Sequence, residues 1–265
     1  MADYETVIEG NIAVHEKEAD YYDFIHIEIW NRSEQKRLKK LLRTLTAQVD
    51  NQSFKALDFG AGTGNITQKL LSIGYTVTAI DISPDMCEKL IKKEQHMVEL
   101  NRLKVLNVNL DKTDLTEQFD LVTGYSVIHH LPNYLKTLEK LANLVKPGGI
   151  FYFDHEAPQQ TISPGIVDNF ILKLYYFTEK KTNAAYMKLH RIKLPSINYS
   201  LADVHTQLDW QSITQMLRQK GFTVEIQPHY VNDSRFNTPL SYLRKKILKA
   251  NSAMLIAKKT QTFLN

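Results

Sequence analysis

The sequence predicts an α/β fold built on a mostly parallel sheet, and three observations carry that prediction. Leu57-Asp58-Phe59-Gly60-Ala61-Gly62-Thr63-Gly64 reads as a strand running into a three-glycine turn, and Thr76-Val77-Thr78-Ala79-Ile80-Asp81 reads as a second strand ending in an acid. Strand-like and helix-like segments then alternate as far as Asp154, which argues for parallel pairing through right-handed crossovers. With 265 residues and 43% hydrophobic content, the chain can bury the core of one such domain plus an insertion.

Two helices are expected before the first strand. One runs from about Val14 to Trp30, and a charge-rich one from Ser33 to Gln48 carries an apolar stripe of Leu38, Leu41, Leu42 and Leu45. Ser83-Pro84 starts the helix after the second strand, because serine caps and proline suits a first turn. Lys104–Asn109 reads as the third strand, Phe119–Gly124 as the fourth, and Pro132-Asn133 as the start of the next helix. Lys146-Pro147-Gly148-Gly149 stops that helix and feeds a fifth strand, Ile150–Asp154. Past Glu156 the alternation lapses until about Val204, in a stretch where Phe170, Tyr175, Tyr176, Phe177, Tyr186 and Tyr199 mix with Lys173, Lys180, Lys181, Lys188, Arg191 and Lys193. A helix Trp210–Lys220, a strand from Phe222 to about Gln227, a basic helix Pro239–Lys249 and a strand Ala253–Lys258 follow. Four units result: a helical lid (1–50), a cofactor-binding core (51–156), a helical cap over the substrate (157–205) and the rest of the core (206–265).

Glycine tolerates positive φ and has no Cβ, so the turn after the first strand can approach a ligand closely. Asp81 stands where a carboxylate accepts hydrogen bonds from a ribose diol. A dinucleotide fingerprint spaces its glycines G-x-G-x-x-G beneath a pyrophosphate. Here the spacing is G-x-G-x-G, with Asn65 where the third glycine would fall, and Asp58 would repel a pyrophosphate but suit a cationic amino acid. S-adenosylmethionine has an ammonium and a sulfonium and no phosphate. Together with the Phe119-Asp120 strand, the loop Tyr125-Ser126-Val127-Ile128-His129-His130-Leu131-Pro132-Asn133 and the Lys-Pro-Gly-Gly turn, in that order, the sequence resembles the class I S-adenosylmethionine-dependent methyltransferases, particularly those acting on small molecules. The resemblance covers residues 54–156 well and 207–258 in outline; it hardly touches the insertion.

The resemblance implies a three-layer α/β/α sandwich with a seven-stranded sheet in the order 3-2-1-4-5-7-6, the last strand antiparallel. It places S-adenosyl-L-methionine with Asp58, Gly60, Ala61, Gly62 and Gly64 around its methionine part, Asp81 on the ribose and Ile82 against the adenine. Asn109, with Leu110 next to it, takes the position that faces the adenine amino group, and the backbone of Gly124 and Tyr125 meets the methionine amino group. Tyr22, in Ala19-Asp20-Tyr21-Tyr22-Asp23, matches a tyrosine that closes over the cofactor.

Methyl transfer from a sulfonium is an in-line displacement that mainly needs alignment and exclusion of water. His129 or His130 is placed either to act as a general base or to hydrogen-bond the loop backbone, and His155 and Glu156 open toward the cleft beyond the fifth strand. His15 and His26 read as structural, and His205, beside a helix cap at Asp203, as solvated. Quinone O-methyltransferases with a similar loop hold a divalent metal on acidic residues; the matching places here are Ser126 and His129, so no metal is expected.

The expected acceptor is a small molecule methylated at oxygen or nitrogen. One alternative is a lipid or isoprenoid reached at a membrane surface through amphipathic helices. Another is a non-catalytic cofactor-binding module, against which the intact Asp58, glycines and Asp81 argue. A formal net charge of +4, from 33 basic and 29 acidic residues, is too mild for a nucleic-acid partner, and no Asn-Pro-Pro-aromatic motif follows the fourth strand. The single cysteine, Cys87, forms no internal disulfide, and no signal peptide or spanning apolar run is present, so a reducing cytoplasmic setting is expected. The sequence sets no oligomeric state.

Overall fold

The computed structural model describes residues 4–47, 54–158, 165–196, 207–235 and 238–261. Seven strands are β1 (Lys55–Phe59), β2 (Thr76–Asp81), β3 (Leu103–Asn107), β4 (Phe119–Tyr125), β5 (Val145–Glu156), β6 (Phe222–His229) and β7 (Ser252–Lys259). They form one sheet in the order β3-β2-β1-β4-β5-β7-β6. β7 runs antiparallel to both of its neighbours and every other pairing is parallel, as the resemblance implies.

Strand side chains alternate between faces, and here both faces are apolar, as in sheets covered on two sides. Leu57, Val122, Phe151 and Phe153 join one core with Leu138 and Leu141 of α8 (Tyr134–Asn143) and Trp210, Ile213 and Leu217 of α10 (Trp210–Gln219). Ala56, Leu121, Ile150 and Tyr152 join the other, with Leu38 and Leu42 of α4 (Arg32–Thr46) and Ile66 and Leu70 of α5 (Asn65–Ser72). After β2 come α6 (Pro84–Lys93), capped by the Ser83 hydroxyl on the Met86 N–H, and α7 (Gln95–Glu99).

The N-terminal region departs from the expected single helix Val14–Trp30. α1 (Tyr4–Glu18) begins ten residues earlier than Val14, and the chain then turns through α2 (Tyr22–Ile25) and α3 (Ile27–Trp30) before α4. The break is held by polar contacts: Asp20 and Asp23 pair with Lys89 and Lys93 of α6, and Glu18 and Glu28 converge on His26. The third strand ends at Asn107 rather than Asn109, because Asn109 Oδ1 accepts the Asp111 N–H at 2.9 Å and turns the chain out of the sheet.

In the insertion, α9 (Ile166–Leu189) buries Leu172, Tyr175 and Glu179 and packs on α11 (Pro239–Leu248). The rings of Phe24 and Tyr186 stack at 5.8 Å and the Arg235 guanidinium lies against both, 4.1 and 4.7 Å from their centroids, which ties α2 to α9. Tyr199, Asp203, His205 and Gln48 lie outside the described residues. Among the described residues no helix is long and apolar enough to cross a membrane.

Candidate active site

A pocket opens beyond the carboxyl ends of β1, β2 and β4, where open α/β sheets take their ligands. β1 and β2 supply the floor. Gly60 has φ +67°, and a Cβ there would lie 2.4 Å from Val127 Cγ2, so both backbone conformation and space require glycine. Gly62 has φ +51° with nothing within 4 Å of a built Cβ, which leaves its bare backbone facing the cavity.

Asp81 sits at the end of β2 with its carboxylate held in place: Oδ2 accepts the Gly62 N–H at 2.7 Å and Oδ1 the Ser83 N–H at 2.9 Å. Each oxygen keeps a lone pair for a hydroxyl donor. Burial raises the Asp81 carboxyl above the usual carboxylate range, against those two backbone N–H donors. Asp58 is placed differently. Its Oδ2 accepts both the N–H (2.9 Å) and the hydroxyl (2.6 Å) of Thr67, so the buried carboxylate ties β1 to α5 beneath the glycine turn. Burial pushes Asp58 up to about 7 despite the bonds from Thr67.

One end of the pocket is lined by a cluster of which reading along the chain singled out only Asn109. Tyr4 of α1 donates its hydroxyl to Asp111 Oδ2 at 2.7 Å and accepts from Asn109 Nδ2 at 3.2 Å, across 105 residues of sequence. Thr137 of α8 donates to the other Asp111 oxygen at 2.8 Å. Tyr4, Asn109, Asp111 and Thr137 all line the wall.

Beyond β4, the loop through Ile128–His130 is fixed from below by Glu156. Its fully buried carboxylate accepts the N–H groups of Val127 (2.8 Å), Ile128 (2.9 Å) and His129 (3.3 Å) and the Nδ1–H of His129 (2.7 Å). So engaged, His129 is not among the residues that line the pocket, whereas His130 stands in its wall. His155, with φ +61°, stacks on Tyr125 at 5.0 Å and 5° and lies outside the pocket; burial lowers its pKa.

The wall therefore brings together Tyr22, Gly60, Gly62, Asp81, Ile82, Asn109, Leu110, Tyr125 and His130 of the residues expected from sequence. It leaves Asp58, Ala61, Gly64, Gly124, His129 and His155 behind or beside it. Gly64 and Gly124 have packing reasons to be small: a Cβ would come within 2.5 Å of Leu90 and 2.6 Å of Phe153 respectively. Tyr22 is half-buried; desolvation, with nearby carboxylates, raises its phenol far above the ordinary value, and its ring lies 4.3 Å from that of His26. Burial alone would lower the His26 imidazole, but hydrogen bonds and charge from Glu18 and Glu28 raise it to about 9.

A second polar cluster lies behind Tyr125, whose hydroxyl donates to Glu34 Oε1 at 3.0 Å. Glu34, Asp154 and His229 bring potential metal-ligand atoms within 4.8 Å of one another. Arg37 already bridges the two carboxylates at 2.5 and 2.6 Å, so the guanidinium supplies the positive charge that a cation would.

Among the described residues two carboxylates, Asp81 and Asp111, face the pocket, and no lysine or arginine lines it. Residues 57–151 match the family model for the methyltransferase domain. The chain carries a class I methyltransferase domain. That domain is similar to the ubiquinone biosynthesis O-methyltransferase of Glaesserella parasuis serovar 5 (strain SH0165), with 30% identity over 106 residues, 37% of this chain and 43% of that protein. The chain spans about half the length of the curated relatives it matches. In structure, the methyltransferase domain and its surroundings resemble magnesium protoporphyrin IX methyltransferase from Synechocystis PCC 6803 with bound SAM (TM-score 0.56, 15% identity, 95% of this chain and 97% of that one). They also resemble Haemonchus contortus phosphoethanolamine N-methyltransferase 2 in complex with S-adenosyl-L-methionine (TM-score 0.60, 15% identity, 91% and 57%).

Proposed function

We propose that this chain is an S-adenosylmethionine-dependent methyltransferase that methylates an oxygen or nitrogen of a small acceptor. The charge of the pocket wall carries the reading: among the described residues it presents two carboxylates and no lysine or arginine, which suits a cationic sulfonium with a ribose better than a pyrophosphate. The donor set fits the cofactor in detail. Asp81 offers two preset acceptors to the ribose hydroxyls, Gly62 gives close backbone approach, and Ile82, Val108 and Leu110 supply apolar surface for the adenine. When bound, S-adenosylmethionine would supply an activated methyl group; the protein aligns the acceptor and keeps water out. α1 lies along the pocket, and Tyr22 closes it from α2.

Calorimetry with S-adenosylmethionine, S-adenosylhomocysteine and NAD tests the cofactor, and labelled-methyl transfer to a panel of phenols, catechols and primary amines tests the reaction. Binding of NAD without binding of S-adenosylmethionine would overturn the assignment.

A lipid-surface acceptor is a second reading, favoured by α9. Ile166, Val167, Phe170 and Phe177 are 91, 72, 68 and 55% exposed on the side away from the buried Leu172, Tyr175 and Glu179. Flotation with anionic vesicles that is lost in Phe170→Asp supports it; no flotation of the parent chain removes it.

A further inference from the structure

α1 presents Tyr4, Ile8, Asn11 and His15 to the pocket, a spacing of four, three and four residues that places them on one helix face. The His15 ring is oriented by its own helix: Nδ1 lies 2.8 Å from the carbonyl oxygen of Asn11. A carbonyl only accepts, so Nδ1 carries the hydrogen, and the neutral ring keeps its lone pair on Nε2. Among the described residues no hydrogen bond occupies that Nε2. Asn11 also donates through Nδ2 to the His130 carbonyl at 3.5 Å, which ties α1 to the loop after β4. The His15 ring meets that of His130 edge-on at 6.2 Å and 85°, and the ring of Tyr22 lies at 6.2 Å. Of the other histidines near the site, His129 commits Nδ1 to Glu156, His155 stands outside the pocket, and His130 shares the wall with His15.

We propose that His15 takes the proton of the methyl acceptor, a role that rests on the methyltransferase reading above. The acceptor oxygen or nitrogen bonds the methyl carbon as the carbon–sulfur bond breaks, and that electron pair stays on sulfur. The acceptor's proton passes to His15 Nε2. The resulting imidazolium keeps its Nδ1–H on the Asn11 carbonyl and later releases the Nε2 proton to solvent.

Two measurements on the full chain test this. In complex with S-adenosylhomocysteine, 15N-histidine NMR is expected to show His15 protonated at Nδ1 and bare at Nε2; a ring protonated at Nε2 alone overturns the proposal. His15→Ala is then assayed with the acceptor that the phenol, catechol and amine panel gives. S-adenosylhomocysteine affinity should stay within about threefold, kcat should fall about 10²–10⁴-fold with little change in KM, and free imidazole should restore part of the rate. An unchanged kcat, or a loss that imidazole does not relieve, overturns the role. Should the parent chain bind no S-adenosylmethionine, the cofactor reading fails instead, and the calorimetry shows it.

Discussion

The Glu156 carboxylate and the His129 imidazole face each other at 2.7 Å, with the carboxylate fully buried. His129 engages Oε2, and the other oxygen, Oε1, accepts both the Val127 and the Ile128 N–H groups, so one side chain at the end of β5 sets the whole loop after β4. Glu156→Ala strands these donors and is expected to cost about 2–4 kcal/mol, read by urea denaturation. Glu156→Gln should lose less, because its amide oxygen still accepts two N–H groups.

Asp81 and Asp58 are expected to separate binding from folding. Asp81→Ala is expected to weaken S-adenosylmethionine at least about 30-fold in calorimetry, since it removes charged acceptors from the wall. Asp58→Ala should leave affinity within a few-fold and instead lower stability by about 1–3 kcal/mol, because the Thr67 N–H and hydroxyl lose their partner. Equal losses of affinity in both variants would refute this division.

Gly60→Ala is expected to destabilise by about 2–4 kcal/mol, combining the penalty of positive φ with the 2.4 Å approach to Val127. Val127→Ala in the same chain should recover the steric part only, a coupling that a double-mutant cycle in thermal denaturation measures.

His26 gives the N-terminal region a pH dependence. Its pKa rises from about 6.5 unfolded to about 9 folded, so the folded state binds the extra proton between these values. The stabilisation is complete below about pH 6.5 and disappears as pH climbs through about 9. Thermal midpoints should therefore fall across that window, and the fall should be smaller in His26→Gln.

Motif chemistry was legible where it is local. The glycine turn, Asp81 and the loop Ser126–His130 announce themselves because turn geometry and strand-end carboxylates depend on neighbours in sequence. The sheet order followed from resemblance to a family and not from residue pattern. Glu156 could be placed only near the cleft, because its role arises when β5 pairs with β4 and sets its carboxylate under the loop. Tyr4 and Asp111 gave no signal: their bond joins the chain's first described helix to a loop past β3. Asp58 reads from sequence as an acid facing the ligand, yet a threonine nine residues later takes both its bonds into the core.

The bond from Tyr4 to Asp111 is expected to couple ligand exchange to local opening of α1. With α1 along the pocket and Tyr4 fastened to Asp111, release past that helix would require it to lift and its hydroxyl to be rehydrated. Residence time is then a property of α1, and backbone amides in residues 8–15 should exchange with deuterium more slowly when the pocket is filled.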